Sequence, residues 1–461
     1  MENNIIIVQE LINSFKSINL ENIINSITKY QDKISNIHIP EDKAFAVNLE
    51  DFQSSENDIY KELLNLVNPI NKIKTITFKD FEDYFNVRTK DFLSNNKDNS
   101  IELLDYHYYG NLKDGIKEGL GLYLEKSYKY FGKWKDNKEY GEGSILNYEP
   151  YKEFFSGHFQ EADGKYEFKG FSIIFNDSSI KVFHGDLTNR GEHSKGVYVT
   201  YSLDDCSIKM YQGEQINYAK EGDGIELALN DIKNKEEFEV YKGHYISNKK
   251  RGIFKAYKYD HYLLSVNFID ELTIQTTDEL NILKFKDQTT SSSSYFYGRI
   301  HINRKEDGKL VVSVQKGIYY YNNHSIYKGF FESQHGISVK NEKGEFYSIK
   351  DNHMCKYEGN FINDELNNGK LFCIEKDKKL LFDGDFLHNM LDNGVYYYNN
   401  GIYSGSFKNN LREGHGKYTY NNNEIYEGKW KNNLKEGKGN YQKHPKGPFI
   451  LFEWKDDKII K

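Results

Sequence analysis

No glycine occurs before Gly110; all 36 in the chain lie from that point onward. Cysteine is scarcer still. Cys206, Cys355 and Cys373 are far apart, odd in number and without metal-ligand spacing, so neither a zinc motif nor a disulfide framework is expected. So few thiols favour a reducing compartment. There are only 5 prolines and 4 methionines. Long apolar runs are missing too, and nothing approaches the roughly 20 residues a membrane helix needs. The opening stretch MENNIIIVQELINSF carries no basic flank and is interrupted by Glu10, which argues against a signal peptide. A formal net charge of −7 argues against a general affinity for nucleic acid. The expectation is a soluble, cytoplasmic chain.

Aromatic residues are abundant: 38 Tyr and 30 Phe in 461 residues. Disordered chains are poor in such residues, so folded structure is expected despite the polar average. The glycine-free stretch follows helical spacing. Val8, Leu11, Ile12, Phe15, Ile23, Ile24, Ile27 and Ile34 recur mostly at three- and four-residue steps, forming an apolar stripe. Asp58–Val67 and Phe78–Phe92 show similar spacing, with Pro40 and Pro69 placed to end helices between them. Residues 1–100 therefore read as a small helical domain, with a short strand at Lys74–Phe78 and a linker at Asn95–Ser100.

From about residue 101 a pattern repeats. The clearest copies are Tyr403-Ser-Gly405-Ser-Phe407 and Tyr426-Glu-Gly428-Lys-Trp430. Each is followed by an Asn-Asn pair and a second half, Gly414-His-Gly416-Lys-Tyr418 or Gly437-Lys-Gly439-Asn-Tyr441. Counted from the first aromatic, glycines fall at +2, +11 and +13 and aromatics at +4 and +15. Tyr108 and Tyr130 open copies in the same frame, and Trp134 stands in the phase of Trp430. Roughly a dozen units of about 20 to 30 residues fit, the weaker ones starting at Phe155, Phe183, Phe296, Tyr327, Tyr357 and Phe382. Trp454 marks a closing strand.

Side chains alternate along a strand, so the 0, +2 and +4 residues share one face, as do +11, +13 and +15 on the returning strand. Each unit is thus a β-hairpin with rings and glycines on one face and polar residues on the other. The six residues between the halves, such as Lys431–Glu436, suit an Asn-rich connection. Glycine leaves room for a ring from a neighbouring strand to lie on the backbone. One hairpin is marginal in water, so neighbours must stack. The fold class expected is mainly β: an elongated single-layer antiparallel sheet of hairpin repeats after a small, mainly α N-terminal domain. The boundaries expected are 1–100 helical, 101–260 first array, 261–325 irregular repeats with a loop insertion around DQTTSSSS, and 326–461 second array with the closing strand.

These residues resemble the MORN repeat, whose signature begins YEGxW and continues to GxG; YEGKWKNNLKEGKGNY at Tyr426–Tyr441 matches it closely. The resemblance covers roughly residues 105–260 and 325–455. It departs from the pattern between about Tyr262 and Ser294, and at Asn368-Gly369 and Asn393-Gly394, where the second glycine pair is altered. Those departures suggest a kink or an insertion midway. The resemblance implies a scaffold linking proteins to one another, to cytoskeletal or ciliary structures, or to membranes.

No P-loop, kinase loop, HExxH or GxSxG is present. His158, His184 and His244 each adjoin a motif glycine, which puts them on the face opposite the rings. No catalytic residue, cofactor, metal site or small-molecule substrate is expected. Two functions remain. One is a protein-binding scaffold whose groove aromatics would include Tyr108, Tyr130, Trp134, Tyr403, Phe407, Tyr426 and Trp430, since rigid rings are favoured anchors. The alternative is peripheral binding to anionic phospholipids. From Tyr403 onward there are 12 Lys and Arg against 7 Asp and Glu, and Lys429, Lys431, Lys435 and Lys438 fall in one repeat.

Overall fold

The computed structural model describes residues 2–35, 49–73, 75–96, 100–102, 105–162, 165–188, 193–229, 238–258, 262–268, 274–276, 281–286, 293–304, 310–323, 325–334, 337–350, 353–373 and 379–461. Pro40, Lys74, residues 97–99 of the expected linker and residues 287–292 of the expected loop lie outside them. The chain divides into two compact units, Met1–Asp32 with Phe52–Thr277 and Lys33–Asp51 with Asp278–Lys461.

The protein is mainly β, with two open antiparallel sheets of hairpins and helices before the strands. The helices are α1 (Glu2–Lys16), α2 (Glu21–Ser35), α3 (Leu49–Ile73) and α4 (Phe78–Asn95). Their apolar stripes are buried, as the spacing requires: Val8, Leu11 and Phe15 on α1, Ile59, Leu63 and Ile70 on α3, Phe81 and Phe85 on α4. At the start of α4 the Thr77 N–H donates to Asp80 Oδ2 at 2.7 Å, closing the first turn. Two expectations need correction. Pro69 lies inside α3 rather than ending it. The buried Ile70 and Ile73 hold the last turn in place despite the missing N–H. No strand forms at residues 75–78, where Phe78 already begins α4.

In the first unit consecutive strands pair antiparallel from Ser100–Glu102 to Ile274–Thr276. In the second they pair from Asn281–Lys286 to Lys458–Ile459. Glycines face glycines across this ladder, as in Gly405↔Gly416↔Gly428↔Gly439. The altered units keep that pairing, Gly359↔Gly369 and Gly384↔Gly394, because their return strand is one residue shorter and simply omits the +11 glycine.

The hairpin connection is tighter than expected. Two residues make the turn in the clearest copies, for example Asn432 and Asn433 with φ of 50° and 71°. Both are left-handed, the turn whose twist matches paired strands. The rest of the expected six-residue connection belongs to the strands and to a bulge between Gly428 and Trp430.

The back face of the first sheet, opposite the rings, is not polar as expected. Leu146, Phe154, Phe171, Ile173, Val182 and Val199 stand there, all buried, and helices cover them. Phe81 of α4 packs on Phe154 at 4.9 Å and on Phe175 at 5.8 Å between ring centroids. Phe92 meets Phe131 at 5.2 Å, and Phe15 of α1 meets Phe171 at 6.0 Å. Polar contacts fix the register. Tyr148 donates to Glu82 at 2.8 Å, Arg88 to Ser144 at 3.2 Å, and the Leu20 N–H to Gln212 at 2.7 Å.

Candidate functional site

The ring face is built by one device used repeatedly. The first tyrosine of a unit folds back over its own glycines, and its hydroxyl donates to the carbonyl three residues on. Tyr130 donates to Lys133 at 2.8 Å, Tyr403 to Ser406 at 3.0 Å and Tyr426 to Lys429 at 2.9 Å. The Tyr403 ring thus covers Gly405 on its own strand and, as expected, Gly416 on the paired neighbouring strand of the same hairpin. A Cβ on Gly416 would stand 2.2 Å from Tyr403 Oη, so no other residue fits under that ring. Gly414 has a different task. A Cβ there would make only ordinary contact with Ser406, at 3.6 Å, but φ is +77°, the left-handed conformation that favours glycine.

The +4 ring then stands edge-on to two tyrosines. Trp134 meets Tyr108 at 5.6 Å and Tyr130 at 5.0 Å, with interplanar angles of 90° and 87°. Trp430 meets Tyr403 and Tyr426 in the same way, the geometry favoured by aromatic quadrupoles. The seven rings singled out as groove aromatics therefore all lie on one kind of face. They are also all inside the packing: Tyr108, Tyr130, Tyr403 and Tyr426 are 0% exposed, and Trp134, Phe407 and Trp430 at most 5%. Burial pushes the phenols of Tyr108 and Tyr426 up to about 12.

Above the rings stands a cation that the repeat rule above omits, at +9. Lys117 Nζ lies 4.3 Å from the Tyr123 ring centroid and 4.5 Å from that of Trp134. Arg412 Cζ is 4.2 Å from the Trp430 ring, and Lys435 Nζ 4.4 Å from that of Trp454. Burial lowers the Lys117 and Lys435 ammonium pKa, opposed by Glu139 and Asp457 respectively. The backbone of the +9 residue also ties units together. Its N–H donates to the side chain of the next unit's second turn residue: Lys117 to Asn137 at 2.8 Å, Arg412 to Asn433 at 2.8 Å, Lys435 to Asp457 at 2.7 Å. In return the Asn433 N–H donates to the Arg412 carbonyl at 3.0 Å. The +10 glutamate accepts from the first turn residue, as Glu413 does from Asn432 at 2.9 Å. The signal was present in the sequence as KEG at 117–119, 220–222 and 435–437 and REG at 412–414.

The four candidate lipid-binding lysines do not all stand on one face. Lys435 pairs opposite Trp430 on the ring face. Lys429, Lys431 and Lys438 stand on the back face and are exposed. Lys417 and His415 are exposed beside them, in register with Glu427 and Lys429. Ile402 and Leu451, 44% and 60% exposed, share this face. Here the back face is open and cationic, whereas in the first sheet it is apolar and covered.

His158, His184 and His244 stand on the back face, away from the rings. His184 lies in a cleft of about 640 Å³ between Glu21 of α2 and the sheet. Its cations are each matched by an anion, Lys169 by Asp186 at 3.3 Å and Lys242 by Glu21 at 2.9 Å. Among the described residues no group of His, Cys, Asp and Glu is placed to hold a metal ion, and no helix is long and apolar enough to cross a membrane.

A sheet of antiparallel hairpins that spends its rings on its own packing defines a repeat protein. The profile of the MORN repeat matches residues 108–124, 403–425 and 426–444, and the chain is a MORN-repeat protein. Such repeats generally mediate binding to proteins or membranes. No curated protein matches the chain.

Proposed function

We propose that the protein is a non-enzymatic, protein-binding scaffold of the cytoplasm, and that its partner surface is the open back face of the C-terminal repeats. One observation carries this reading. The back face of the first sheet is occupied by the protein's own helices, while that of residues 401–455 presents exposed Lys417, Lys429, Lys431 and Lys438 around the apolar Ile402 and Leu451. Glu427 and Glu453 also stand on this face, opposite Lys417 and Lys438, but apolar contacts rimmed by mainly positive charge suit an acidic, amphipathic protein segment. The groove rings serve this surface indirectly, by keeping the sheet rigid. Attachment to cytoskeletal or ciliary structures is what the MORN resemblance adds to this reading.

The test is affinity purification of the full chain beside its K417E/K429E/K438E variant, with mass spectrometry of what each retains. These side chains are exposed, so circular dichroism should be unchanged. Acidic partners are expected to be retained by the parent and lost by the variant. Identical partner sets would overturn the assignment of the surface. A second reading has its own support in Lys429, Lys431 and Lys438 sharing one open face, as lipid-facing lysines must. Each could contribute about 1 kcal/mol on an anionic membrane. Sedimentation with phosphatidylserine vesicles at low salt, but not with phosphatidylcholine vesicles, would favour it.

A further inference from the structure

Sequence reading treats Cys206, Cys355 and Cys373 as unrelated, yet the fold places two of them side by side. Cys355, on the strand His353–Ile362, and Cys373, ending the strand Glu365–Cys373, are direct Cα partners in the antiparallel ladder. Directly opposed residues put their side chains on the same face, with Cα atoms about 4.5–5.5 Å apart. A disulfide accepts Cα separations of about 4.4–6.8 Å. Cys355 shares the ring face with Tyr357, two residues along the same strand and itself opposite Leu371. Both cysteines are buried, at 7% and 8% exposure. The neighbouring Tyr396 phenol, raised chiefly by burial, feels the charge of both sulfurs. Cys206 lies in the other unit.

We infer that Cys355 and Cys373 form a modification site, a cross-strand dithiol that closes to a disulfide when a peroxide reaches it. One thiolate attacks the peroxide, the O–O bond breaks, and a sulfenic acid forms as the first water leaves. The second thiol then attacks that sulfur, the S–O bond breaks, and a second water departs. Two thiols and one hydrogen peroxide thus give one S–S bond and two waters, with sulfur oxidised and oxygen reduced. The bond would join the two strands at the end away from their Asn363-Asp364 turn, stapling the hairpin. A thiol reductant reverses it. The strand register fixes the pairing, so no sequence motif announces it across the intervening residues.

The experiment treats the folded full chain with equimolar hydrogen peroxide, removes the excess with catalase, then denatures it in maleimide before mass spectrometry. A loss of 2 mass units, in a single cross-linked peptide pair containing Cys355 and Cys373, with Cys206 labelled by maleimide, is expected. The C373S variant tests proximity separately. Its Cys355 should stop at the sulfenic acid and become trappable by dimedone, which it is not in the parent. Maleimide on both Cys355 and Cys373 after oxidation, separate over-oxidation of each, or preferential pairing with Cys206 would overturn the proposal.

Discussion

At the scale of single residues, the motif glycines separate into two physical tasks. Gly416 lies beneath the Tyr403 ring, whereas Gly414 adopts φ of +77° with room for a Cβ in ordinary contact with Ser406. Replacing Gly414 by alanine should cost about 1–2 kcal/mol, the penalty of the left-handed conformation. Gly416→Ala must instead expel the ring and forfeit its hydrogen bond to Ser406, so a loss of at least about 3 kcal/mol is expected. Urea denaturation of the two variants checks the order. Glu153 offers a test in pH. It accepts from Asn147 at 3.4 Å and Ser172 at 3.3 Å, and burial raises its carboxyl from 4.5 to about 7. A folded value above the unfolded one means the fold favours the protonated form. The stabilisation is therefore complete below about pH 4.5 and is lost as pH rises through about 7. Glu153→Gln should stand higher in thermal midpoint, relative to the parent, at pH 8 than at pH 5, by a margin on the order of 2 kcal/mol. Equal offsets at the two pH values would contradict the burial argument.

At the scale of elements, the helices were legible as helices but not as a lid. Their three- and four-residue spacing shows a stripe needing cover, without naming what covers it. The complementary signal lay in the array, where Phe131, Leu146, Phe154 and Ile173 sit in the phase opposite the rings. The matching phase of the C-terminal units holds Ser404, Lys417 and Glu427 instead. Phe81, 0% exposed between Phe154 and Phe175, should carry much of the docking energy. Phe81→Ala is expected to cost about 3–5 kcal/mol and, by loosening α4, to increase binding of an apolar dye. Unchanged dye binding and stability would mean the helices are held by their polar contacts instead. The turn-to-strand tie had a clearer sequence trace. A recurring cation-glutamate-glycine before each second half reflects backbone and side-chain bonds to the following turn, and periodicity arguments that count only apolar residues pass over it.

At the scale of the whole molecule, the proposed scaffold rests on an asymmetry between two sheets made from one repeat. Because its surface is exposed and cationic, partner capture should weaken as salt rises from 50 mM, since exposed charges are screened beyond a Debye length of about 8–10 Å at ordinary ionic strength. The charge-reversed K417E/K429E/K438E protein should lose that salt dependence along with its partners. By itself the sequence determined the repeat, the hairpins, the ring face and the change of character at Gly110, because period-two alternation and a glycine beneath a ring are local requirements. Only the tertiary structure decided that helices occupy one back face, that Lys435 caps rings while Lys429, Lys431 and Lys438 face solvent, and that Cys355 meets Cys373. Those are relations between segments distant in the chain or set by strand register. A bulge or turn of one residue reassigns them without changing composition.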